Sequence, residues 1–241
     1  MRYAIVSDIH ANLDALRAVL DDARDLVDTI LCLGDIVGYG AEPEGCIELV
    51  AERCQAVVAG NHEHAAAGLM PLDWFNPYAR AAAEWTRRRL DDEHRAWLGR
   101  LPLLREFEEA TLVHASPQQP DEWEYVISAE DGYRAFASFT TRLCFVGHSH
   151  VPGVWAQGSW GRSHEAGAVD IALEPGCRYL VNVGSVGQPR DRDPRAAWVL
   201  WDDQTRRVSI RRVAYDVTAA RSRIVAAGLP RFLADRLGEG R

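Results

Sequence analysis

The chain has 241 residues, 47% of them hydrophobic and 26% charged, which is enough apolar material for one large domain or two small ones and excludes intrinsic disorder. Five cysteines, Cys32, Cys46, Cys54, Cys144 and Cys177, form no disulfide ladder in that length, and their odd number suits a reducing, cytoplasmic compartment. A formal net charge of -8 argues against a broad nucleic-acid surface, so an anionic substrate needs locally concentrated positive charge.

Met1 to Val6 runs straight into Ser7 and Asp8, too short an apolar stretch for a signal-peptide core, and no later stretch approaches the roughly 20 residues of a membrane helix. Tyr3 to Val6 reads as a strand that leads into Leu13, Leu16, Leu20 and Ala23 on one helical face. Thr29 to Leu33 ahead of a helix near Pro43 to Glu52, and Ala56 to Ala59 ahead of a helical stretch from His62, repeat the pattern. Residues 76–100 read as helical, with Pro77 in the first turn and Trp85, Leu90, Trp97 and Leu98 facing inward. Ala110 to Val113 and Leu143 to Val146 read as strands separated by a helix over Asp131 to Thr140.

The second half is strand-rich: Tyr179 to Val183, Ala197 to Trp201 and Val208 to Ala214, with a hairpin turn at Asp202 to Thr205. Val217 to Ala227 is expected to close the fold as a helix, and Gly238 to Arg241 to fray. No repeat, linker or composition shift interrupts the chain, so a single α/β domain over 1–241 is expected, with a helical cap at about 64–100. Alternation alone does not separate two stacked sheets from one doubly wound sheet.

Five polar clusters fall at the ends of these strands: Asp8-Ile9-His10, Gly34-Asp35, Gly60-Asn61-His62-Glu63, His114 and His148-Ser149-His150. In an extended segment residues i and i+2 point the same way, so Asp8 with His10, and His148 with His150, would each aim two ligands into one cavity. The glycines before Asp35, Asn61 and His148 would let the backbone turn sharply there. Two ions about 3.5 to 4 Å apart need a bridging ligand with two oxygens, and Asp35 is the candidate. With Asp8 as the other carboxylate, two divalent ions would leave the site net positive and attractive to phosphate. Nitrogen and oxygen ligands without thiolate suit Mn, Fe, Zn, Co or Ni.

In this order the clusters resemble the signature of the calcineurin-like metallophosphoesterase superfamily: D-x-H, G-D, G-N-H-[DE], H and G-H-x-H. The stretches SDIHANLDAL, GDIVGYG, GNHE, FNPYA, LVHASP, FVGHSHVP and NVGSVGQPRD are similar to its compact prokaryotic, diadenosine-tetraphosphatase-like branch, from Tyr3 to about Asp216. The resemblance implies a four-layer α-β-β-α sandwich of two mixed sheets flanked by helices. It implies one metal held by Asp8, His10, Asp35 and His150, a second by Asp35, Asn61, His114 and His148, and His62 as general acid. Mn or Fe is the expected pair. Ala11 and Ala115 depart from the glycines common in relatives, which bears on substrate range more than on metal binding.

Several residues carry a plainer reading beside the functional one. His62 could instead orient a ligand through its ring nitrogen, and Glu63 and His64 read as helix-start residues or as supports that hold the ligands from behind. Asn182 to Arg190 could line a phosphate's path with exposed backbone N–H groups and the Arg190 guanidinium, Ser185 assisting, or be an ordinary surface loop. Trp74, Phe75, Trp123 and Tyr125 could stack a nucleobase, but packing is the preferred reading for each. Tyr39, between Gly38 and Gly40, could reach the site. Ser7 and Ser116 lie outside any G-x-S-x-G elbow, which disfavours a serine hydrolase.

The expectation is therefore a dinuclear metal-dependent phosphoesterase in which a bridging hydroxide attacks a phosphodiester or nucleotide phosphoanhydride in line. Its expected partner is a small phosphate ester, a nucleotide above all, with neither membrane nor nucleic acid involved. The alternatives are a catalytically idle protein-binding scaffold, or a phosphomonoesterase, protein phosphatase or nuclease using the same metals.

Overall fold

The first strand already dictates the layering. In the computed structural model, which describes residues 1–158, 163–165 and 170–241, β1 (Arg2–Val6) turns Tyr3 and Ile5 to one side and Ala4 and Val6 to the other, and all four are buried. A strand covered on both faces must lie inside a layered stack.

β1 is central in a six-stranded sheet that also holds β2 (Thr29–Cys32), β3 (Cys54–Val57), β9 (Asp170–Ala172), β11 (Ala196–Asp202) and β12 (Arg207–Val213), in the order β3-β2-β1-β11-β12-β9. β1, β2 and β3 are parallel, and β11 joins β1 antiparallel, with Tyr3 opposite Trp201. The second sheet combines β4 (Leu104–Phe107), β5 (Ala110–Val113), β6 (Leu143–Val146), β7 (Gly153–Gln157), β8 (Ser163–Glu165) and β10 (Arg178–Asn182), in the order β4-β5-β6-β10-β7-β8. Here β5, β6 and β10 run parallel.

Tyr3, Ile5, Leu31 and Trp201 of the first sheet pack against Leu112, Phe145 and Val181 of the second, making the inter-sheet core. Outside the first sheet, Ala4, Val6 and Trp198 pack with Leu16 and Val19 of α1 (Leu13–Ala23) and Ile47 of α2 (Pro43–Arg53). Outside the second, Val146, Trp155 and Leu180 pack with Ala135 of α6 (Ala129–Ala135) and with Phe136. The expected four-layer sandwich of two mixed sheets flanked by helices is present. No helix of the described residues is long and apolar enough to cross a membrane.

Four sequence expectations need correcting. The stretch 76–100 is not one helix: α4 (Pro77–Arg89) stops where Leu90 turns extended, and the Asp91 carboxylate accepts the His94 N–H at 2.9 Å to start α5 (Asp92–Gly99). The third strand sits at Cys54–Val57, two residues earlier than expected, so Ala59 is already in the connection. The helix expected over Asp131 to Thr140 begins earlier and ends at Ala135, because Ser128 and Asp131 cap it reciprocally. The C-terminal end does not fray.

After α7 (Val217–Ala226), Gly228 takes φ +73 and Pro230 starts a further helix, α8 (Arg231–Glu239), whose Leu233 and Leu237 bury against Ala220, Ile224 and Tyr39. The Arg192 N–H donates to the Gly240 carbonyl at 2.8 Å. The arginines of α8 hid its apolar face in the sequence. If this packing holds, Leu233→Ala should cost about 2–4 kcal/mol of stability in urea unfolding, and an unchanged midpoint would show that α8 lies loosely on the surface.

Candidate metal centre

Six connections leave the C-terminal ends of the parallel strands β1, β2, β3, β5, β6 and β10, where the crevice of an α/β sheet binds its ligands. They carry Asp8 and His10, Asp35, Asn61 and α3 (Asn61–Ala67), His114, His148 and His150, and Arg190 respectively. The seven residues expected as ligands are all buried.

They converge in two groups that share Asp35. Ligand atoms of Asp8, His10, Asp35 and His150 lie within 4.8 Å of one another, as do those of Asp35, His114 and His148. His150 Nε2 is 3.2 Å from Asp8 Oδ1, and His114 Nε2 is 3.2 Å from Asp35 Oδ2. Asn61 and His62 line the same cavity as Asp35, His148 and His150.

The local geometry is not the extended one the i, i+2 spacing suggested. β1 ends at Val6 and β6 at Val146, and Asp8, His10, His148 and His150 all adopt left-handed φ, between 51 and 65, as does Asp35 at 49. Alternate ligands converge because each sits on the same side of a tight turn, at a cost of about 1–2 kcal/mol per non-glycine residue. Ala11, where glycine is common in relatives, shares this conformation at φ 51. Of the preceding glycines only Gly34 has positive φ; a Cβ on Gly60 would collide with the Asp35 carboxylate, and one on Gly147 with Ser7 and Asp8. Two of the three are required by close approach rather than by a turn.

Glu63 holds two of these loops together. Its buried carboxylate accepts the N–H groups of Asp35 at 2.6 Å, Ile36 at 2.8 Å, Val37 at 3.2 Å and Gly60 at 2.8 Å. The His62 N–H donates to Asp35 Oδ1 at 2.9 Å, and the His148 N–H to Asp8 Oδ2 at 3.0 Å, so each aspartate keeps its other oxygen for the cavity.

The histidines are oriented through their remaining nitrogens. His10 Nδ1–H donates to the Val37 carbonyl at 3.1 Å and His114 Nδ1–H to that of Leu33 at 2.9 Å; His150 Nδ1–H donates to Gln188. These bonds leave the Nε2 lone pairs facing the site. His10 Nε2 and His150 Nε2 stand 3.1 Å apart, and His114 Nε2 is 3.1 Å from His148 Nδ1. Facing lone pairs repel unless a cation or proton lies between them. Asp8 Oδ1 and Asn61 Oδ1 are buried without a hydrogen-bond partner. This donor set fits a pair of divalent ions.

Proton affinities follow the same crowding. Burial pushes the imidazoles of His62 down to about 4 and of His148 to about 3, so both are neutral near pH 7. Burial also pushes His114 down, but Asp35 outweighs it and raises that ring to about 9. Burial would raise the Asp8 carboxyl, yet His150 and His114 hold it below its ordinary range.

The cavity beside the centre, about 250 Å³, brings in residues whose preferred reading was packing. Trp74, Phe75, Trp123 and Tyr125 all line it. Tyr125 lies flat on His148 at 4.2 Å, and Phe75 meets His62 edge-on at 4.9 Å. Trp123 is buried as expected, against His64 and His114. Tyr39 does reach the site, touching His10 and His62. Arg190 lines the cavity with Nη2 3.5 Å from the Tyr39 hydroxyl.

The backbone of the Arg190 loop does not present N–H groups to a phosphate. Val186 N–H is spent on the Ser7 carbonyl, Gly187 N–H on Asp8, Gln188 N–H on Ser185 Oγ and Arg190 N–H on His150. Ser185 Oγ–H donates to the Asp8 carbonyl, so this loop braces the ligand turn, and only the Arg190 side chain faces the cavity. Met70, Asn76, Ala79 and Glu122 complete the lining without having stood out in the sequence. FNPYA, noted there only as a shared stretch, was the available signal for Asn76 and Ala79.

Comparison with known proteins agrees with this architecture. The calcineurin-like phosphoesterase superfamily domain matches residues 1–204. The uncharacterized protein MJ0912 of Methanocaldococcus jannaschii is 39% identical over 245 residues, covering 99% of this chain and 98% of that protein. The crystal structure of a metallophosphoesterase from Sphaerobacter thermophilus is similar with a TM-score of 0.88 at 42% identity, covering 100% of this chain and 99% of that one. A putative diadenosine tetraphosphatase shares the fold at a TM-score of 0.55 and 16% identity, over 88% of this chain and 94% of that one.

The Glu63 arrangement is directly testable. Glu63→Gln replaces one acceptor oxygen by an amide that points its hydrogens at peptide N–H groups, and should cost about 3 kcal/mol or more in urea unfolding. Full stability in that variant would mean the loops hold themselves.

Proposed function

Because the chain belongs to the calcineurin-like phosphoesterase superfamily, we propose that it is a dinuclear metal-dependent phosphoesterase that hydrolyses a phosphodiester or a nucleotide phosphoanhydride. The observation that carries this reading is the sharing of Asp35 by two groups of buried carboxylate and imidazole ligands whose donor atoms lie within 4.8 Å of one another. Asp8, His10, Asp35 and His150 would hold one ion, and Asp35, Asn61, His114 and His148 the other. Mn or Fe heads the candidates, with Zn, Co and Ni compatible with the same donors. When bound, the pair would supply Lewis-acid polarisation of the phosphoryl group and a water acidified for attack.

The protein's own side chains would do the rest. Arg190, with its guanidinium in the cavity, would pair with a phosphoryl oxygen and offset charge that builds up there. Tyr39 would fix that guanidinium from one side, Gln188 accepting from the same Nη2 at 3.0 Å. His62 is neutral when the site holds no substrate, so its first contribution would be a ring N–H donated to the leaving oxygen. An anionic substrate would raise its proton affinity towards the range in which it transfers the proton outright. Phe75, Tyr39 and His10 hold the His62 ring from three sides, which favours a defined direction for that donation.

An idle scaffold would have no need of strained turns that each cost stability to aim a ligand, which weighs against the binding-module alternative. The assay is hydrolysis of bis-p-nitrophenyl phosphate with added Mn, expected to vanish with chelator and return on re-addition of metal. Asp35→Asn should lose bound metal and rate together. His62→Ala should retain metal but lose about 10²- to 10⁴-fold in kcat. Unimpaired turnover in Asp35→Asn would falsify the shared-ligand reading.

A further inference from the structure

The cavity is chemically lopsided. On the side of His10 and His62 lie Tyr39 and the Arg190 guanidinium; on the side of His114 and His148 lie Trp123, Tyr125 and the Glu122 carboxylate. Apart from Asp35, Glu122 is the acidic group lining the cavity among the described residues. A second phosphate would be repelled there. An apolar leaving group would leave the carboxylate facing carbon.

The aromatic surfaces are similarly disposed. Trp74 is 66% exposed and Tyr125 50% exposed, yet both line the cavity, so both offer ring faces at its mouth that the folded chain does not cover. Tyr125 has its plane fixed by its stack on His148, with an interplanar angle of 23°. Trp74 sits in a short 3-10 turn, Leu72–Trp74, directly before Phe75, which touches His62. Exposed aromatic faces beside a phosphate-sized positive site are what a stacked base requires. At about 250 Å³ the space suits a small ring system rather than a polypeptide loop.

We propose that this cavity binds the base of a nucleotide, stacked against Trp74 and Tyr125, with an exocyclic amino group of the base donating to the Glu122 carboxylate. Adenine, guanine and cytosine carry such an exocyclic donor; uracil presents carbonyl oxygens at those positions, which the carboxylate repels, and keeps only its ring N3–H as a donor. The substrate would then be a phosphodiester or anhydride of an amino-bearing nucleoside. The proposal rests on the phosphoesterase reading only for where the phosphate sits.

Calorimetric titration of AMP and UMP into the Mn-loaded protein tests it, because the two ligands share the same phosphate and differ only in the base. AMP should bind at least about fivefold more tightly. Trp74→Ala should weaken AMP by about tenfold, the scale of one stacking contact. Glu122→Gln should narrow the preference for AMP over UMP, because the amide also offers an N–H to the uracil carbonyls, leaving the part that the larger purine stack supplies. Both side chains are exposed, and circular dichroism will verify that the variants fold.

Equal affinity of the wild type for AMP and UMP, or no binding of either at millimolar concentration, overturns the base site. Hydrolysis of bis-p-nitrophenyl phosphate followed in parallel separates the two readings. Turnover without base preference removes the base site alone, whereas base preference without turnover under any metal removes the enzymatic reading alone.

Discussion

Two carboxylates buried just beyond the ends of β1 and β2 impose the main constraint on this fold. Asp8 and Asp35 are wholly buried, and a carboxylate withdrawn from water costs several kcal/mol unless positive charge or donors compensate it. Each receives one peptide N–H, from His148 and His62 respectively, which covers a single oxygen apiece. The remaining compensation has to come from His114, His150 and His10, or from cations held with them. The loop that supplies His150 also supplies one of the peptide donors, His148, and the other comes from the start of α3 at His62. Loop conformation and the affinity of these ligands for a cation are therefore one property of the chain, and a bound metal would stabilise the fold by mass action.

Aiming the ligands has a conformational cost that the framework offsets. Five ligand-bearing residues stand in the left-handed region, so the site carries strain of several kcal/mol on a per-residue scale of about 1–2. Such a backbone persists only where its surroundings over-determine it. Here they do: Asp8 N–H reaches Gly34, His10 N–H reaches Asp35, Ala11 N–H reaches Ile36, and Gly187 N–H reaches Asp8. Glu63 ties the Asp35 turn to the start of α3. Three loops from the first sheet and one from the second are thus stitched edge to edge, and a shift in any one moves a ligand.

How much of this was legible in the sequence depended on whether a local rule or a tertiary contact placed the residue. The apolar run Tyr3 to Val6 and the helical face of Leu13, Leu16 and Ala23 are local, and such strand–helix alternation predicted an α/β chain, whereas the two stacked sheets came from the family resemblance. The ligand clusters were legible because several rare residue types recurred at strand ends in one order. The reason offered for Asp8 with His10, extended spacing, was wrong, because left-handed turns and two-residue extension both return a side chain to the same face. Trp74 and Tyr125 were singled out but read as packing residues, because nothing local distinguishes an aromatic that packs from one that lines a cavity; neighbours distant in sequence decide it. α8 escaped for a related reason, since its Leu233 and Leu237 find their partners on α7 and Tyr39. Glu63 was read as a helix-start residue or a support behind the ligands, and it is both: it accepts from Gly60, and its bonds to Asp35, Ile36 and Val37 join segments about 27 residues apart, which no local pattern specifies.

For a chain of net charge -8 to act on a phosphate, as proposed, its field has to be local rather than global. At physiological salt, charges separated by more than about 8 Å are largely screened, so scattered surface carboxylates contribute little at the bottom of a buried crevice. What an incoming anion meets there is the charge of the ligand groups, of whatever they hold, and of Arg190, inside low-dielectric walls that weaken the field much less. Many of the other arginines are already engaged: Arg212 with Asp191, Arg223 with Asp14, Arg207 with Asp170 and Arg195 with Asp193. Arg190 differs in having only the neutral Tyr39 hydroxyl and Gln188 amide oxygen as side-chain hydrogen-bond partners, with its Nε buried and without a partner. A guanidinium left this way beside two ligand clusters has its pairing capacity in reserve, and a phosphoryl group is the anion whose geometry uses it fully.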